Sequence, residues 1–468
     1  MNVTFYGAAE QVTGSMHLLT LKSGYKILID CGLDYENRND FEMNNKNFPF
    51  LPSEIDTMVL THSHIDHSGN IPNLIKQGFT GQIICTEPTK VLSRNLLLDS
   101  IKVQAIEGQK RKGKKFSKKF SKKNHDVPTL YNKVHVDATD EAMFCIKFNT
   151  PFKINDEVTL ELTEAGHILG AASVKFTITE GQETKTIGFT GDLGNYNSKL
   201  VKDPNPLQGI DYLVTESTYG GRLHSNITNP EELLLDYIKN TCEKFGGKLV
   251  IPAFSVGRTQ SILFTLKQLY IKGLIAPNVK IFTDSPLAIK TTKLYEEYHD
   301  FMNDEAAEFS KQYGDLFNFP QLYVLDNNKE SEMASLIPEP AVIVSAAGMV
   351  EGGRIQEHIR NHISDAFSTI LIAGYCSEGT FGHELLMGKP TVKINNREKQ
   401  VYAKIARTDV FSAHPDQAGL MKYLESVNYQ SLKKIFLVHG DVSSLNKFKE
   451  KINLPSVVIP KYEESFDL

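Results

Sequence analysis

Residues 61–67 read Thr-His-Ser-His-Ile-Asp-His and come directly after the apolar run Met58, Val59 and Leu60. Three imidazoles and a carboxylate in one heptapeptide are a density of metal ligands that a merely structural turn has no reason to carry. In an extended segment residues i and i+2 point the same way, so His62 and His64 can converge on one ion. The chain then turns and offers Asp66 and His67 to another, which implies two adjacent ions. Nitrogen and oxygen donors without thiolate suit zinc, and manganese can occupy the same set. Ser68, Gly69 and Asn70 read as a turn, and residues 71–75 as a helix with Pro72 in its first turn. The ligands are therefore expected at the exit of a buried strand, where rigid scaffolds mount their chemistry.

Four ligands are too few for two ions, and three later segments offer more. The alternating run 159–163 leads to His167. A second short strand, 186–190, ends in Gly191, Asp192, Leu193 and Gly194, where glycines let the backbone approach an ion closely, and Asp192 can bridge two metals. Towards the C-terminus, His414 precedes Pro415 and a helix, and can complete the second site. Asp and His are common in turns, so each of these gains its weight from the heptapeptide.

The order Asp30, His-x-His-x-Asp-His, His167, Asp192 resembles the metallo-β-lactamase superfamily, and the chain beyond Asp192 is similar to its β-CASP branch of nucleic-acid nucleases. The further motifs of that branch are matched by Glu216 in Val-Thr-Glu-Ser-Thr-Tyr-Gly, by His383 in Gly-Thr-Phe-Gly-His, and by His414. Residues 251–260 and 283–288 resemble the branch as well, so the likeness runs essentially from end to end. It is strongest to the subgroup of the endonuclease subunit of the cleavage and polyadenylation specificity factor and its compact prokaryotic relatives.

The resemblance implies an α/β protein. Residues 1–208 and 395–468 would form the two parts of an αββα metallo-β-lactamase sandwich, and 209–394 an inserted parallel-sheet β-CASP domain. It also implies that His62, His64 and His167 hold one zinc, that Asp66, His67 and His414 hold the other, and that Asp192 bridges them. RNA phosphodiesters would be hydrolysed by a metal-bridging hydroxide. His383 would protonate the leaving oxygen, with Glu216 holding its other nitrogen. Asp30 is assigned to orient the heptapeptide from behind, and His439 to a similar supporting place. Endonucleolytic cleavage of single-stranded RNA, in processing or decay, is expected, with 5′-exonucleolytic cleavage also within the range of the branch. Relatives often dimerise, which makes a homodimer the implied assembly, although no interface is legible in the chain.

Ser377 and Thr380 sit in a glycine-rich entry to a helix, where free N–H groups attract phosphate. Arg354 and Arg258 are further cations expected at the cleft. The net charge of −5 does not advertise nucleic-acid binding, but residues 110–123 carry nine lysines or arginines and no acid. That run is read as an arm that collects RNA electrostatically, with Phe116 and Phe120 available for stacking. Five scattered cysteines, without Cys-x-x-Cys spacing, suggest neither a disulfide framework nor a thiolate metal site. No apolar run approaches the roughly 18 residues of a membrane span, and the chain enters a strand at Val3, so a cytoplasmic protein without a signal peptide is expected.

Two other classes fit parts of the sequence. The ligands alone would serve a metallo-hydrolase of a small ester or lactam, which nitrocefin or thioester turnover would reveal. A non-catalytic RNA-binding scaffold would purify without zinc.

Overall fold

The computed structural model describes residues 1–36, 41–111, 129–224, 229–376, 379–394 and 397–468, with the side chains of 109–111 excepted. Residues 112–123 of the lysine-rich run and Ser377 lie outside the described residues. Two compact units form, one from residues 1–196, 203–223 and 414–468 and the other from 197–202 and 224–413.

The first unit is built on two seven-stranded sheets. One runs Glu464–Asp467, Asn2–Phe5, His17–Thr20, Lys26–Ile29, Thr57–Val59, Gln82–Cys85, Met143–Cys145. The other runs Val457–Val458, Lys434–Val438, Tyr212–Glu216, Glu183–Phe189, Ala172–Glu180, Val158–Glu164, Phe152–Lys153. The period-2 pattern of the antiparallel strands sets their facing: Val158, Leu160 and Leu162, like Val174, Phe176 and Ile178, point inward. They meet Val3, Phe5, Leu19, Ile27 and Ile29 of the other sheet in one buried core. The outer faces are covered by helices. Ile71 and Leu74 pack on Leu28, Met58 and Ile83, while Leu420, Tyr423, Leu424, Leu445 and Phe448 pack on Leu213, Ile435 and Leu437. The result is the expected αββα sandwich. Asp416 and Asp441 start the last two long helices by accepting from Gly419 N and Ser444 N.

The second unit holds a six-stranded sheet in the order Leu322–Val324, Lys280–Asp284, Ala341–Ser345, Lys248–Pro252, Thr369–Ile372, Lys404–Arg407. Every pairing in it is parallel. Its central strands, Lys248–Pro252 and Ala341–Ser345, are buried throughout, as runs covered on both faces must be. The units divide elsewhere than at the expected 208/209 and 394/395. Tyr212–Glu216 pairs into a sandwich sheet, and Lys404–Arg407 closes the edge of the parallel sheet.

Candidate metal centre

The heptapeptide leaves strand Thr57–Val59 and turns into the short helix Ile65–Ser68. Its backbone is fastened to the exit of the neighbouring strand: Cys31 N donates to the His67 carbonyl and Leu33 N to that of Ile65. Gly32 permits this approach, since a Cβ there would fall 1.6 Å from the Asp66 carbonyl oxygen. Asp30, left-handed at φ +59°, turns its carboxylate back beneath the loop. Oδ1 accepts from Thr61 N at 2.8 Å, and Oδ2 from Thr61 Oγ1 at 2.8 Å and His67 Nδ1 at 2.7 Å. With Nδ1–H committed to Asp30, the lone pair of His67 is left on Nε2.

Asp192 stands between two groups. Its Oδ2 lies 3.5 Å from His62 Nε2 and 3.6 Å from His167 Nε2. His64 Nδ1 completes that group, 3.2 Å from His62 Nε2 and 3.1 Å from His167 Nε2. The other oxygen of Asp192, Oδ1, lies 3.2 Å from His67 Nε2 and 3.5 Å from His439 Nε2. Asp66 Oδ2 joins this second group 3.6 Å from His439 Nε2. Two close approaches hold the loops in place. Gly194 packs so tightly that a Cβ would sit 1.9 Å from the Gly166 carbonyl, pinning the Asp192 and His167 loops together. His439, left-handed at φ +51°, donates its N–H to Ala8 O, and its Nδ1 lies 3.0 Å from Thr218 Oγ1.

The donor set fits metal ions. Burial keeps His62 well below its ordinary pKa and pulls His64 down to about 4, so both imidazoles are neutral and carry lone pairs. Asp192 Oδ1 is buried and makes no hydrogen bond of ordinary geometry, with His67 Nε2 3.2 Å away. Burial opposes charge on His67, but Asp192 and Asp30 outweigh it and raise its pKa well above the usual value. Burial likewise opposes ionisation of Asp66 and Asp192, and the surrounding histidines overcome it and hold both as carboxylates.

Three expectations are corrected. His414 does not join Asp66 and His67; His439 does, because strand Lys434–Val438 pairs beside Tyr212–Glu216 and ends at the same sheet edge as Asp192. Glu216 is not reserved for His383. It accepts from His414 Nδ1 at 3.0 and 3.2 Å and from Leu193 N at 2.6 Å, while His383 belongs to the other unit, on helix Phe381–Leu386, where its N–H donates to Thr380 Oγ1. Neither arginine is a spare cation. Arg354 is spent on Asp284 Oδ1 at 2.6 Å, Asn328 and the carbonyls of Leu325 and Asp326. Arg258 is buried, donates Nε–H to Phe411 O and stacks over Phe254 at 4.8 Å.

Fold and site together define a metallo-hydrolase of the αββα sandwich class with a parallel-sheet insertion. Comparison with known proteins agrees. Residues 10–224 match the metallo-β-lactamase superfamily, 259–385 the Beta-Casp domain, and 398–459 a Zn-dependent metallo-hydrolase RNA specificity domain. The chain is 30% identical to Ribonuclease TTHA0252 of Thermus thermophilus over 91% of each chain. It is 26% identical to an RNase J-like protein of Methanocaldococcus jannaschii over 90% of this chain and 89% of that one. It is also 30% identical to the transcription termination factor FttA of Methanosarcina mazei, of whose length it spans 64%. A crystal structure of a protein of unknown function from Enterococcus faecalis shares the fold, with TM-score 0.52 at 13% identity over the whole chain. The chain belongs to the β-CASP ribonuclease branch of the metallo-β-lactamase superfamily.

Proposed function

We propose that the chain is a ribonuclease that hydrolyses single-stranded RNA endonucleolytically, using two zinc ions. His62, His64, His167 and Asp192 would hold one ion, and Asp66, His67, His439 and Asp192 the other. The observation that carries this reading is the division of the Asp192 carboxylate, one oxygen towards each group. Bound there, the metals supply Lewis-acid neutralisation of the attacked phosphate and lower the pKa of the attacking water.

The chain's own residues do the rest. Asp30 keeps the His67 lone pair on Nε2, and burial keeps His62 and His64 neutral. The departing alkoxide needs a proton, and the imidazole equipped to give it is His414. Its Nδ1 is held by Glu216, and Glu216 raises its pKa against the opposing effect of burial. A carboxylate behind an imidazole fixes its orientation and favours its protonated form. RNA is the substrate class because residues 398–459 match a Zn-dependent metallo-hydrolase RNA specificity domain and a relative 30% identical over 91% of each chain is a ribonuclease.

The test is cleavage of 5′-labelled single-stranded RNA and its DNA counterpart by wild type, His414→Ala and His383→Ala. Internal RNA fragments from wild type, with a loss of roughly 100- to 10,000-fold in His414→Ala at unchanged metal content, would agree. Full activity in His414→Ala, or no cleavage of RNA by zinc-loaded wild type, would refute it.

A further inference from the structure

Cys85 ends strand Gln82–Cys85 and Cys145 ends strand Met143–Cys145; the two strands pair in parallel with Cys85 directly opposite Cys145. Directly opposed residues point to the same face, and here both side chains join the hydrophobic cluster on the outer face of the sheet. The spacing of paired strands, about 4.8 Å, falls within the roughly 4.4–6.8 Å between Cα atoms that a disulfide spans. The thiols are close enough to affect each other's acidity, Cys145 raising Cys85 and Cys85 lowering Cys145.

The two sulfurs are not equivalent. Cys145 lies on the edge strand and is half-buried, whereas Cys85 is fully buried. The adjacent Cys85 thiol, with help from the Lys90 ammonium, lowers the pKa of Cys145 against the opposing effect of burial; Lys90 is fixed there by donating to Met143 O at 3.1 Å. A partly exposed thiol beside an ammonium is a setting in which a cysteine reacts as thiolate, although Glu87 and Asp140 oppose it here. The other three cysteines are buried, and burial raises all of them: Cys376 to about 11, Cys242 to about 12 and Cys31 well above its usual value.

We propose that Cys85 and Cys145 are a redox modification site that a hydroperoxide converts into a reversible disulfide. The Cys145 thiolate attacks the peroxide, forming an S–O bond as the O–O bond breaks, and the released oxygen leaves as water or alcohol after protonation. Sulfur is oxidised by two electrons and the peroxide is reduced. Cys85 then attacks Cys145 Sγ, an S–S bond replaces the S–O bond, and hydroxide departs with the Cys85 proton as water. A dithiol reverses the step by exchange.

The position ties the modification to the metal centre. Thr86, the next residue after Cys85, donates its hydroxyl to Gly170 O at 2.7 Å, and Thr89 does so at 2.9 Å. Gly170 lies in the loop that carries His167, so the cross-link would form one residue from the clamp on that loop.

The experiment treats the full-length protein with hydrogen peroxide, then denatures, alkylates and maps its peptides. Two thiols should be lost together, a Cys85–Cys145 peptide should appear, and dithiothreitol should restore both thiols. In Cys85→Ser, Cys145 should accumulate as a sulfenic acid that dimedone traps. Cys145 over-oxidised while Cys85 stays alkylatable in wild type would overturn the proposal, as would prior oxidation of Cys31, Cys242 or Cys376.

Discussion

Asp30→Asn is the substitution that separates a ligand-orienting carboxylate from a merely buried one. Asp30 is 1% exposed and accepts three hydrogen bonds, and an amide can reproduce only part of that. With Nδ2 on the side of Oδ1, it confronts Thr61 N–H, leaving a buried donor without an acceptor. With Nδ2 on the side of Oδ2, it donates to His67 Nδ1, which shifts the imidazole proton to Nε2 and removes the lone pair facing Asp192. The first arrangement costs about 1–3 kcal/mol of stability. The second costs about 10- to 100-fold in metal affinity, or about 1.4–2.7 kcal/mol at 1.36 kcal/mol per decade. Denaturant unfolding of metal-free protein and zinc competition against a chelator read the two separately. Unchanged values in both assays would refute the reasoning, because no rotamer of asparagine satisfies Thr61 N–H, Thr61 Oγ1 and His67 Nδ1 as the carboxylate does.

In the second unit, Asp284→Asn should destabilise by about 3–5 kcal/mol, since it leaves buried His358 and partly buried Arg354 without their carboxylate. Burial opposes ionisation of Asp284, but His358, Ser331 and Arg354 hold its pKa below 3.8. Its contribution is therefore present above that value and lost as pH falls through the depressed folded value; the gap between wild type and variant should be flat above about pH 5 and shrink below about pH 4. A gap that instead widens in acid would contradict this sign. Gly194→Ala drives a methyl into the Gly166 carbonyl and should cost about 1–3 kcal/mol by thermal or denaturant unfolding. A neutral result would mean that the two loops do not touch. Neutralising the lysines of residues 110–123 should reduce the salt slope of RNA binding by about 0.7 for each phosphate that is no longer neutralised; an unchanged slope removes the arm from binding.

Much of the metal centre was legible because its residues are close in sequence or end recognisable strands. The heptapeptide, His167 and Asp192 come after runs whose periodicity names them as strands, and the glycines beside Asp192 signal close approach. Asp30 was legible through its place ahead of the heptapeptide in the motif order. The choice between His414 and His439 was not. Both stand after hydrophobic stretches near the C-terminus, and what separates them is that strand Lys434–Val438 lies next to Tyr212–Glu216 in the sheet, a pairing of strands far apart in the chain with no local signal. The partner of Glu216 was hidden for the same reason. Arg354 read as a spare cation because its carboxylate, Asp284, is 70 residues away. The clue to His439 was its place at the end of a short apolar strand before Gly440, the same strand-exit pattern that marks Asp192.

Metal content of wild type, His439→Ala and His414→Ala, purified side by side without chelator and measured by elemental mass spectrometry, addresses the central claim most directly. A centre divided by Asp192 and completed by His439 predicts two ions per chain in wild type and in His414→Ala, and one in His439→Ala. Loss of an ion from His414→Ala with both retained in His439→Ala would contradict it.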